Sequence, residues 1–200
     1  MLDTYKFIEK YKRISIIGME KNVGKTTLLN KLIADIGTNK KLGLTSIGRD
    51  GEDIDVVTNT DKPRIYVRRG SIIATGRNCL AKCDITKEIL YVTDFTTPMG
   101  SIVIVRALSD GYVDIAGPSY NKQVKIVVEL MEKFGSEISI VDGALGRKST
   151  AISDVSEATI LSTGAALSLD MLKVVEETKK TVYFLKLDEA EKNIKDRVEE

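Results

Sequence analysis

Residues Arg13 to Leu29 read R-I-S-I-I-G-M-E-K-N-V-G-K-T-T-L-L, and no other stretch limits the fold so tightly. The apolar run Ile14 to Ile17 predicts a buried strand. Gly18 to Gly24 predict a loop. Lys25, Thr26 and Thr27 then open a helical pattern, with Leu28, Leu29, Leu32 and Ile33 on one face. Strand, loop, Gly-Lys-Thr and helix form the context a phosphate-binding loop requires. Glycines let the main chain curl until successive N–H groups point at one anion. The helix contributes its own free N–H groups and the positive end of its dipole. In such a loop Gly18, Lys21, Asn22, Val23, Gly24 and Thr27 line the phosphates through the main chain. Lys25 meets the β- and γ-phosphates as a point charge, and the Thr26 hydroxyl holds Mg²⁺. A lone Gly-Lys-Thr tripeptide would suit a turn that binds nothing. The strand before it and the amphipathic helix after it favour the loop.

The spacing departs from G-x-x-x-x-G-K-[ST], which wants a glycine where Met19 stands. Gly18 lies one residue further out, so five residues separate the two glycines. This longer loop resembles that of dethiobiotin synthetase and its relatives among the P-loop NTPases, not the small GTPase loop.

Two hundred residues suit one α/β domain, here taken as 1–200 with a β-rich insertion at 63–117. Net charge is +1, which predicts no strong field for nucleic acid or membrane. No apolar run approaches a membrane span. The mixed, helical start M-L-D-T-Y-K-F-I-E-K-Y-K is unlike a signal peptide, and two cysteines fit a reducing, cytoplasmic setting. Histidine is absent, which removes Ser-His-Asp triads, Cys-His dyads and His-ligated zinc together. Catalysis would rest on Lys, Arg, Asp, Glu, Thr or a bound metal.

Along the chain, Leu2 to Lys12 predict a short helix, Lys25 to Ile36 the helix after the loop with Gly37 as its cap, and Leu42 to Ile47 a strand. Gly48 to Asp53 read as a polar loop at the strand edge where open α/β sheets bind ligands. In the middle part, Arg64–Val67 with Ser71–Ala74 predict one hairpin, and Ser101–Arg106 with Gly111–Ala116 another. Asn78 to Asp84 suggest a short helix. Regular alternation then returns. Ser119 to Phe134 predict a helix striped by Val124, Val127, Val128 and Met131, and Ile138 to Val141 a strand ending in Asp142-Gly143. Ala158 to Leu161 predict a strand, Ser168 to Lys179 a helix, Thr181 to Leu187 a last strand, and Asp188 to Glu200 a charged helix. The fold class expected is α/β, a three-layer P-loop NTPase with a mostly parallel sheet and a hairpin-rich middle elaboration.

A phosphate-binding loop needs an acid to help hold Mg²⁺, usually at the tip of a neighbouring strand. Asp142, ending an apolar run, fits, although an Asp-Gly turn after a core strand would look the same. Asp50, after the second strand, is the candidate for orienting water or Mg²⁺. Arg49 beside it could meet a phosphate, while Glu52, Asp53 and Asp55 read equally well as solvated loop. Arg147 could neutralise charge on a transferred phosphoryl group, although an exposed loop arginine is the commoner case. Cys79 and Cys83 make a poor zinc site and read as core. The guanine-reading N-K-x-D is missing, which favours ATP over GTP and weakens a GTP-driven metallochaperone.

Six strings carry a more specific resemblance: R-I-S-I-I-G-M-E-K-N-V-G-K-T-T, L-G-L-T-S-I-G-R-D-G-E, K-P-R-I-Y-V, G-Y-V-D-I-A-G-P, V-D-G-A-L-G-R-K-S and S-T-G-A-A-L-S. Together they resemble the small P-loop subunit of the lysine aminomutase reactivase family, whose relatives sit with ornithine aminomutase. The Asp142-Gly143-Ala144 stretch also resembles the acid-Gly-Ala of dethiobiotin synthetase relatives, with aspartate in place of glutamate. The resemblance implies ATP-driven release of damaged cobalamin from a B12-dependent aminomutase, together with a MutS-like ATPase partner. The alternative is an ATP-dependent small-molecule kinase or ligase. Oligomeric state is left open, with a homodimer among the options.

Overall fold

The computed structural model describes residues 6, 8–48, 64–143 and 155–186. The chain forms a three-layer α/β fold whose seven-stranded sheet is mostly parallel. The strands are β1 (Arg13–Gly18), β2 (Leu42–Ser46), β3 (Ile65–Val67), β4 (Ile72–Gly76), β5 (Lys87–Thr97), β6 (Gly100–Ala107), β7 (Gly111–Val113), β8 (Ile138–Asp142) and β9 (Ala158–Ser162). The helices are α1 (Lys25–Ile36), α2 (Arg77–Leu80), α3 (Asn121–Lys133) and α4 (Met171–Leu185). Strand order is β5-β6-β4-β2-β8-β1-β9, and β3 and β7 form a separate two-stranded ribbon. The five strands from β4 to β9 are parallel. β6 and β5 extend that sheet antiparallel.

Central strands of a parallel sheet are covered on both faces and therefore read as near-continuous apolar runs. Ile14, Ile16 and Ile17 of β1 are fully buried. On one face, Leu29, Leu32, Ile33 and Ile36 of α1 pack on Ile14, Ile16, Leu44 and Ile140, and the β3–β7 ribbon adds Ile65, Val67 and Val113. On the other, Val124, Val127, Val128 and Met131 of α3 pack on Ile72, Ala74, Ile102, Ile104 and Val141. The predicted stripe of α3 is the observed one, while in α1 Leu28 is only partly buried and Ile36 joins Leu29, Leu32 and Ile33. Gly135, which ends α3, has φ 103°, a conformation glycine enters at little cost. Gly37 caps α1 from the right-handed region instead, with its N–H on Ile33 O.

Three expectations are corrected. Ile65–Val67 does not pair with Ile72–Gly76: β3 pairs with β7, and β4 enters the main sheet between β2 and β6. Nor do β6 and β7 pair with each other. The hairpin in this region is β5–β6, and β5 was not expected at all. Both errors have one cause, since long-range burial of Val67 and Val113 against the core outweighs proximity in sequence. Finally, Thr181 to Leu185 continue α4 as helix, not strand. That helix starts at Met171, three residues after the expected Ser168, because the Asp170 carboxylate caps it through the Leu172 N–H at 2.9 Å. The short helix expected at Asn78 to Asp84 is Arg77–Leu80. Asp188 to Glu200, Gly51 to Asp55 and most of the N-terminal helix lie outside the described residues. Among the described residues no helix is long and apolar enough to cross a membrane.

Candidate functional site

The first strand sits between β8 and β9 while the chain's next strand, β2, lies beyond β8. The order of connections reverses here, which places a crevice outside the carboxyl ends of β1 and β8. The loop Gly18 to Gly24 occupies that position.

Gly18 ends β1, paired with Ser162 of β9, and the Met19 N–H donates to Ser162 O at 2.9 Å. A Cβ on Gly18 would lie 2.6 Å from Lys25 Nζ and 2.8 Å from Val23 Cγ2. A side chain there would have to displace the Lys25 tip and press on the buried, branched Val23, so glycine suits the position. Asn22 (φ 59°) and Gly24 (φ 89°) take the left-handed conformation that asparagine and glycine tolerate best. Val23 between them is buried and anchors the loop. Lys25 Nζ donates to the loop's own Glu20 O at 2.9 Å, and the Lys21 N–H donates to Glu20 Oε1 at 2.8 Å.

The start of α1 is left open. Gly24 caps it without a side-chain hydrogen bond, and its first turn carries no acid. The Leu28 N–H reaches Gly24 O, whereas the N–H groups of Lys25, Thr26 and Thr27 have no acceptor among the described residues. Three free donors and the positive dipole end converge at this point. Thr26 is half-buried and Thr27 exposed.

Asp142 ends β8, in register with Ile16 of β1 on one side and Ser46 of β2 on the other. Its main chain is fixed on both sides. Asp142 O accepts from the Ile47 N–H at 2.8 Å, and the Gly143 N–H donates to Ile16 O at 2.9 Å. The residue as a whole is half-buried, yet Oδ1 is sealed from solvent and has no hydrogen-bond partner. Burial pushes the carboxyl pKa up to about 6, and the positive charge of Lys25 opposes the rise. Another acid shows how such a group is usually satisfied: Glu132 takes two 2.7 Å bonds from Arg13.

Sequence reasoning thus placed Gly18, Lys21, Asn22, Val23, Gly24, Lys25, Thr26, Thr27 and Asp142 around one crevice, and the structure brings the loop, the start of α1 and Asp142 together there. Arg49, Asp50 and Arg147 lie outside the described residues. Two features were missed. One is Glu20, whose carbonyl holds Lys25. The other is the strap 114–118, which crosses the ends of β4 and β2. Its Gly76 N–H···Ala116 O and Gly48 N–H···Pro118 O bonds measure 2.9 and 3.0 Å, and the Gly117 N–H donates to Ser46 Oγ at 2.9 Å. The Gly-Pro pair was the available signal. Cys79 is buried and Cys83 half-buried, with Cys83 Sγ donating to Cys79 O, as core packing predicts.

Among the described residues no group of three or more His, Cys, Asp or Glu side chains gathers as a metal cage. A Mg²⁺ ion needs no such cage when phosphate oxygens and waters supply most of its octahedron. Thr26 and the orphaned Asp142 oxygen fit the two protein ligands that remain. Comparison with known proteins found no match to a family model, a curated protein or a solved structure.

Proposed function

We propose that this chain binds the triphosphate of ATP together with Mg²⁺ in the loop between β1 and α1. The observation that carries the reading is the sealed, unpartnered Asp142 oxygen at the same sheet edge as an acid-free helix start. An anion alone would not call for a carboxylate there, whereas an anion with its cation would. The chain's own parts then divide the work. Main-chain N–H groups from Gly18 to Thr27 orient the phosphates. Lys25 leaves Glu20 O and compensates phosphate charge. Thr26 and Asp142 would hold the metal, with Asp142 ionised. When bound, Mg²⁺ would supply charge neutralisation to the phosphates.

Nucleotide-driven reactivation of a cobalamin-dependent aminomutase, with a partner ATPase, is the proposed use of that site. Its support is the six sequence strings quoted above, spread over most of the chain. Calorimetric titration with ATP and Mg²⁺ tests the binding claim. Lys25→Ala is expected to weaken affinity by about two orders of magnitude, as loss of a charge-assisted phosphate contact does. No binding by the unmodified chain, or equal affinity in the variant, removes the site. The use is tested by ATP turnover with an inactivated aminomutase and its partner ATPase. Turnover that rises only with those proteins supports reactivation; a phosphorylated or ligated small acid or amine formed without them replaces it.

A further inference from the structure

Helix α4 is the least integrated element of the described fold. None of its fifteen residues is buried. Among the described residues its side-chain ties to the preceding segment are the Asp170 cap and the 3.0 Å contact between the Thr178 and Thr163 hydroxyls. Yet its surface is not that of a solvated helix. Leu172 is 74% exposed, Tyr183 65% and Val175 44%. Leu172, Glu176, Lys179 and Tyr183 are all exposed, at spacings of four, three and four, so they share one face.

That spacing is symmetric about its centre, and the chemistry along it is self-complementary. A second α4 laid antiparallel, with a two-fold axis midway between Glu177 and Thr178, sets Leu172 level with the partner's Tyr183. The same operation sets Glu176 level with the partner's Lys179, and the symmetry repeats each contact. An isologous pairing of this kind needs one patch to match its own reverse. The exposed stripe of α4 does so in both apolar content and charge sign. A partner of different sequence would leave this internal symmetry unexplained.

We infer that α4 is the docking surface for a second copy of this chain, joined antiparallel through Leu172, Glu176, Lys179 and Tyr183. Two apolar contacts flank two central ion pairs. The seam lies on the helix after β9.

Sedimentation velocity of the full chain over a concentration series tests the pairing. The unmodified chain is expected to dimerise. Glu176→Lys places like charges opposite each other and is expected to weaken the dimer at least about tenfold. Lys179→Glu is expected to do the same. The double variant carrying both changes restores opposite signs within each helix as well as across the seam, so the deciding sample is an equimolar mixture of the two single variants, which restores them across the seam alone; it is expected to recover the dimer. Both positions of change are exposed, and circular dichroism checks that α4 remains helical. A monomer at every concentration overturns the inference. So does a dimer indifferent to the single changes, or a mixture of the two single variants no better than either alone.

Discussion

Asp142 carries a cost that can be read in stability. Its folded pKa of about 6 stands above the ordinary value of 3.8. Between those values the folded chain holds more protons than the unfolded one, so stability falls as pH rises through the window. The shift corresponds to about 3 kcal/mol of destabilisation by pH 7. Urea unfolding without nucleotide should therefore show the unmodified chain losing stability relative to Asp142→Asn between about pH 4 and 6, and no further difference above. Parallel curves for the two proteins would contradict the buried, unpaired carboxyl. Lys25→Met should deepen the loss, since it removes the charge that favours the ionised form. Much of this residue-level picture was legible in the sequence, because the loop's chemistry is local: glycines, one lysine and one threonine in fixed succession. Glu20 was not legible, since it acts through a main-chain carbonyl that any residue carries. Asp142 was legible as an acid after an apolar run, but its isolation depends on Ile16 and Ser46 beside it, which only strand pairing reveals.

Individual elements repeat the lesson. The α1 and α3 helices could be read because their apolar residues recur at helical spacing and a glycine follows each. The end of α4 could not, since Thr181-Val182-Tyr183-Phe184-Leu185 has the composition of a strand. No glycine or proline interrupts it from Met171 onward, so the helix propagates and local β preference loses. β5 carried a β-forming run, Ile89-Leu90-Tyr91-Val92-Thr93, with no alternation to mark its faces, and its place at the sheet edge leaves Ile89, Tyr91 and Val92 exposed. The 114–118 strap makes a sharp claim at this scale. A Cβ on Gly117 would stand 1.8 Å from Ser46 O, against main chain that cannot swing aside. Gly117→Ala should cost at least about 2 kcal/mol in chemical denaturation, as overpacking against fixed backbone does. At Gly135, with open space around its Cβ direction, alanine should cost only the left-handed strain, about 1 kcal/mol.

Across the whole molecule, security is uneven. The centre of the sheet is buried on both faces, while β9 at its edge is only half-covered and α4 beyond it has no buried residue. Hydrogen exchange should be slowest in β1, β2 and β8 and fastest in α4, with β9 between them. Equal protection of α4 and α3 in a dilute, monomeric sample would refute that order. Capping matters most where packing is weakest, so Asp170→Ala should lower the helicity of α4 and cost about 1 kcal/mol locally. Met19 donates its main-chain hydrogen bond to Ser162 O, on that same half-covered edge strand. Fraying from this flank would strip β1 of a neighbour and slacken the turn that follows it while the remaining sheet stays intact. On gentle heating the molecule should thus lose its grip on the proposed nucleotide before it loses its shape.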